Sequence, residues 1–461
     1  MIRRVQPSKQ AGFLARAPLM AALLVSLICL TGPSVRAVGT TWHVDDATCP
    51  AVGSGSLADP YCRIQDAICT ATSGDTVSVA PGLYAEAVRM RPGVSLISQG
   101  GASVTTIDAF GQPCTSSDFC SKRTGNQCSV VTFASGHTPS TVLDGFTITG
   151  GEGLIQTSKV AGGGIFVFSS PTITNNIITN NVLAGPLPQA EDLRGAGVYV
   201  AVGQAIISNN TITGNRAIPV LSGATATSAY GGGMWVGFNS APAVIDNIIQ
   251  NNTAGDPNVN PSISAGGGLV IFPGPGPAAP VIDRNVIADN VSDTSGGGIS
   301  LLTFSNTGAE AVVTNNVIAG NIATLGGGIY SYYNRARINN NTITGNEAFL
   351  GGGLYLAPGD NTLPVTLTNN VIAGNPLRNF GGGGGLYTLQ VVPNFQLTVS
   401  FNDFWNNQTN HCDGILTDAA CVGMNGNFSA DPLFVDEPGR DFHLDPNSPA
   451  IDAALASAAP P

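Results

Sequence analysis

The sequence predicts an all-β solenoid in which each coil supplies three short strands. Three observations point there. One phrase recurs eight times. The composition favours strands and turns. Paired asparagines close every copy. Glycine is abundant, 59 of 461 residues, with no G-X-Y period, and charged residues make up only 10%. Glycine with many Val, Ile and Thr favours short strands joined by turns.

The phrase begins at Gly162, Gly195, Gly231, Gly266, Gly296, Gly326, Gly351 and about Gly381. Each copy is a glycine run, an apolar-x-apolar stretch, a variable turn, a β-type run and N-x-[IF]-x-x-N. That last element runs from Asn176-Ile178-Asn181 to Asn402-Phe404-Asn407. Repeats of this length signal a solenoid or array. They are too short for helix pairs or propeller blades. Stacked coils pair as parallel strands about 4.8 Å apart, so each repeat position becomes a column. Asn suits such a column because it tolerates left-handed turns and its amide can bond to the coils on either side. The N-x-T triplets are by-products of that ladder rather than glycan sites. Roughly 11 coils make a rod on the order of 50 Å long.

The ends are expected to be capped. Asp59-Pro60 reads as a helix start, with Ile64, Ala67, Ile68 and Ala71 on one face and Gly74 as the stop. This helix would plug the open end of the core, because terminal repeats need covers. The expected organisation is a signal peptide at 1–37, an N-terminal cap with irregular first coils at 38–140, repeated coils at 141–411 and a C-terminal cap at 412–461. Arg3, Arg4, Lys9 and Arg16 precede the apolar run Leu19–Leu30, and Val35-Arg36-Ala37 offers a cleavage site. Without residues 1–37, 13 basic residues face 29 acidic ones, a net charge of −16. That balance argues against nucleic acid and anionic membranes. No second apolar run is long enough to span a bilayer. Eight cysteines remain, an even number that reads as disulfides in an exported chain. The chain reads as a secreted or cell-surface monomer.

The repeated GGGIY…NNTITGN resembles the right-handed parallel β-helix of the pectin lyase-like superfamily. DPLFVDEPGRDFHLDPNSPAIDA, residues 431–453, and the opening from Trp42 to Val88 resemble the end segments of secreted bacterial β-helix repeat proteins. The resemblance implies the fold. It leaves activity open, because this fold hosts lyases, hydrolases, epimerases, adhesins and proteins of no known activity.

In each copy an apolar residue, such as Ile165 or Ile329, points inward, and the next points outward. The outward residues include Phe166, Tyr199, Trp235, Tyr330, Tyr355 and Tyr387, one aromatic stripe on one sheet. Amphipathic rings are expected to bind a polysaccharide or cell-surface glycan, and stacked aromatics also simply stabilise sheets. The long segments 182–194, 216–230 and 253–265 are expected to wall a groove beside the stripe. Asp256, Asp289, Asp293 and Arg194 flank it as catalytic candidates, and the aspartates are candidates for Ca²⁺. A polygalacturonase-like site has only imperfect echoes, Gly136-His137-Thr138 and Arg337-Ile338-Asn339. Glu310, Arg335, Arg337 and Asp360 share one turn in three successive coils, and Glu347 and Arg378 share the loops between coils; both groups read as surface salt bridges. The function expected is polysaccharide binding. The alternatives are a polysaccharide lyase or glycoside hydrolase, and a non-binding structural or adhesin-like rod.

Overall fold

The computed structural model describes residues 39–112, 128–156, 159–184, 192–219, 221–222, 225–226, 228–255, 263–273, 279–303, 309–358, 364–389 and 396–454. The proposed signal peptide, Cys114, Cys120, Asp256 and Asp360 lie outside them.

Each coil runs through three sheets in turn. Ile165–Phe168 belongs to an 11-stranded sheet, Thr172–Thr174 to a 12-stranded sheet, and Ile177–Thr179 to a second 11-stranded sheet. Neighbouring coils pair in parallel with repeat positions aligned, as in Ile165↔Val198 and Ile178↔Ile212. The inward residues Ile165, Val198, Met234, Leu269, Ile299, Ile329, Leu354 and Leu386 are fully buried in one continuous core.

Two asparagine ladders staple the coils. Asn176 Nδ2 donates to Asn210 Oδ1 at 3.0 Å, and Asn181 Nδ2 to Asn215 Oδ1 at 2.9 Å. The first ladder passes Asn402 and ends one step later, at Asn427. The left-handed conformation falls elsewhere than expected. The ladder asparagines do not hold it; the residue before them does, as at Asn175, Asn180, Asn340 and Asn369, with φ of 56, 53, 56 and 59°. That residue makes the corner, which leaves the next side chain pointing inward to bond.

The glycine run has a packing cause. Gly326 sits at φ 63°, and a Cβ on Gly328 would lie 2.6 Å from the Gly353 carbonyl oxygen of the next coil. The last run begins at Gly383, φ 64°, because Gly381 and Gly382 still belong to the strand Leu377–Gly382.

The capping helix is Ile64–Thr70, with Ile64, Ala67 and Ile68 buried. It starts later than Asp59-Pro60 predicts. The buried Glu86 carboxylate from the first coils accepts the Ile64 and Gln65 N–H groups at 2.8 and 3.1 Å. Disulfides join Cys49 to Cys62 and Cys412 to Cys421, and Cys69 and Cys128 are also disulfide-bonded. The C-terminal hairpin, Phe434–Asp436 with Asp441–Leu444, reaches back so that Arg440 grips Asp289 with both terminal nitrogens. Among the described residues, no helix is long and apolar enough to cross a membrane.

Candidate functional site

Strand alternation fixes a single outward column on the first 11-stranded sheet. It reads Arg89, Thr132, Phe166, Tyr199, Trp235, Val270, Ser300, Tyr330, Tyr355, Tyr387 and Asp413. The six predicted aromatics are therefore collinear, but Val270 and Ser300 split them into two groups.

The first group does not face water. Phe166, Tyr199 and Trp235 are 5%, 1% and 3% exposed. Their rings stack on each other, at 5.1 Å between Phe166 and Tyr199 and 4.6 Å between Tyr199 and Trp235. A Cβ on Gly237 would lie 2.5 Å from the Trp235 ring, so a glycine there makes room for the indole.

The cover comes from the long inter-coil segments. Their described strands lie over these rings rather than beside an open groove. Each leaves on a short strand, Val182–Ala184, Arg216–Ile218 or Thr253–Ala254, and returns on another, Asp192–Arg194, Ser228–Tyr230 or Ser264–Ala265. Together with Lys159–Ala161, these strands build two small sheets with a separate core of Val160, Leu183, Leu193, Ala217, Ala229 and Ala254. The other face of the returning sheet lies on the aromatics, with Ala161 and Ala265 in their cluster. Lys159 Nζ donates to the Tyr199 hydroxyl at 2.8 Å, and the Arg194 guanidinium lies 5.1 Å over the Trp235 ring. Burying these rings beneath a lobe gains more free energy than leaving them wet. The sequence signal was faint: one buried apolar residue per two- or three-residue strand.

The second group is more open, because its inter-coil segments are short. Tyr330 and Tyr387 are half-buried, while Tyr355, between them, is 6% exposed. Successive rings stack at 5.2 Å, tilted 26° and 22°. Burial raises the Tyr330 and Tyr355 hydroxyl pKa values, keeping both groups protonated donors. Tyr332, on the same strand as Tyr330, lies 6.2 Å from it with planes 4° apart, and Tyr333 lies 5.5 Å from Tyr332. Sequence reasoning passed over both, since neither holds the repeat position of the column.

Residues 219–372 match the family model for the right-handed beta helix region. The chain is a right-handed parallel β-helix. Its coils also align with a solved structure titled "The complex structure of XylC with xylose", at 12% identity and a TM-score of 0.49, covering 85% of this chain and 87% of that one. No curated protein matches it.

The β-helix gives its charged candidates separate partners. Asp289 is held by Arg440, and Arg194 pairs with Asp192 while lying over Trp235. Asp293 packs its carboxylate against Gly255, where a Cβ would lie 2.2 Å away. His137 is buried edge-on to Phe133, and burial pushes its pKa down to about 4, leaving a neutral ring. Arg337 pairs with Glu310 at 2.7 Å and Arg378 with Glu347 at 2.6 Å, as expected of surface ion pairs. Among the described residues, no group of three or more His, Cys, Asp or Glu is placed to hold a metal ion.

Proposed function

We propose that this β-helix is an exported, non-catalytic protein that binds a polysaccharide or cell-surface glycan along the tyrosine-lined half of its aromatic sheet. One observation carries the reading. Tyr330, Tyr355 and Tyr387 form a single file at one ring per coil, with two of the three half-exposed. Such a file suits a linear polymer whose sugars offer apolar faces and hydroxyls, since tyrosine pairs an apolar body with a polar tip. The disulfides fit an oxidising compartment. The lyase or hydrolase alternative has less support, because Asp289 and Arg194 are each engaged by an ion-pair partner.

A structural rod is the second reading, and ring stacking favours it. Rings 5.2 Å apart spend much of their face area on one another. Affinity electrophoresis in gels containing neutral or acidic polysaccharides separates the two. Binding predicts retarded migration that Tyr330→Ala and Tyr387→Ala abolish. A rod predicts no retardation in any gel.

A further inference from the structure

The strand Ile329–Tyr332 ends in a corner that the column does not explain. Tyr333, the next residue, sits at φ 56°. Most other non-glycine residues with positive φ here are Asn or Asp, and Phe401, the other aromatic, makes a ladder turn before Asn402. The strand bearing Tyr199 takes its positive φ at a glycine, Gly203, φ 105°. A bulky aromatic residue in this conformation is strained, and such strain clusters at functional sites. The backbone is pinned there by the Tyr333 N–H, which donates to the Ala357 carbonyl at 2.9 Å.

The strain projects a ring. Tyr332 and Tyr333 are both half-buried, with centroids 5.5 Å apart and planes splayed by 45°. The column rings lie within 26° of parallel and cover one another. The splayed pair overlaps less, which leaves part of each half-buried ring face uncovered by its neighbour.

We infer that the Tyr332–Tyr333 corner is a sugar-stacking subsite. A pyranose ring of a neutral glycan stacks its C–H face on an open ring face of this pair. This rests on the glycan-binding reading and adds a ring-face contact beside the column.

Tyr333→Gly tests it, because glycine adopts this φ without strain. The variant is expected to melt at the same temperature as the parent or higher. Its affinity for soluble xylan, glucomannan or hydroxyethyl cellulose, read by affinity electrophoresis, is expected to fall roughly tenfold or more, the loss of one stacked ring. Tyr333→Phe keeps the face and is expected to bind. A clearly lower melting temperature for Tyr333→Gly would make the ring a packing element and overturn the inference. Unchanged binding in Tyr333→Gly, with loss in Tyr330→Ala, would overturn the corner and leave the broader reading standing. No retardation of the parent protein in any gel would overturn both.

Discussion

Asn341 Nδ2 donates to Asn370 Oδ1 at 3.0 Å, and the same oxygen accepts the Asn341 backbone N–H at 2.9 Å. Asn341 Oδ1 in turn accepts both equivalent groups of Asn316. One side chain thus satisfies buried groups on both neighbouring coils. Asn341→Ala is expected to cost about 1–3 kcal/mol by leaving them unpaired. Arg337→Ala, which removes an exposed ion pair, is expected to cost less than about 1 kcal/mol. Urea melts compare the two, and equal small effects would remove the ladder as a source of stability.

Trp235 and Tyr199 are expected to behave as core residues. Replacing either with Ala is expected to destabilise by about 3–5 kcal/mol, as for other large buried aromatics. Thermal melts check this. An unchanged melting temperature would mean that the lobe does not rest on these rings in solution.

Asp403 lies on the last coil, 1% exposed, with one carboxylate oxygen accepting from the Ala430 N–H at 3.1 Å. Burial pushes its pKa up from 3.8 to about 6. Between those values the folded chain keeps a proton that the unfolded chain releases, so this group's effect on stability worsens as pH rises. The loss amounts to about 2–3 kcal/mol across the window. Asp403→Asn is expected to flatten this dependence. Urea melts of both proteins at pH 4 and 7 check it, and parallel pH profiles would refute the assignment.

The Arg440–Asp289 pair joins residues 151 apart in sequence and is largely exposed. Asp289→Asn is expected to leave the melting temperature almost unchanged. Cleavage within residues 431–445 under limited proteolysis is expected to quicken as the hairpin loosens. Equal cleavage rates would show that other contacts hold it.

Export predicts a mature N-terminus near Val38 and no free thiol after purification from an oxidising compartment. N-terminal sequencing and thiol labelling under denaturant test both. An intact Met1, or thiols that label, would count against it.

The sequence by itself determined the coil. Repeats at Gly162 through Gly351, with Asn and Ile at fixed offsets, specify parallel stacking because every position meets its own kind one coil away. It also determined which residues point inward and which outward, since alternation along a strand is geometric. Whether an outward residue meets water was decided only by the tertiary structure. Phe166, Tyr199 and Trp235 obey the same alternation as Tyr330 and Tyr387, yet a lobe built from the strands Leu154–Gln156 and Lys159–Ala161 and three long segments covers the first three. Its strands are two or three residues long, too short to carry a period, and they become a sheet only by pairing with strands some 30 or more residues away. The same limit hid Glu86 as the helix cap and Arg440 as the partner of Asp289. Both are contacts between distant residues, set by how the ends fold back on the coil.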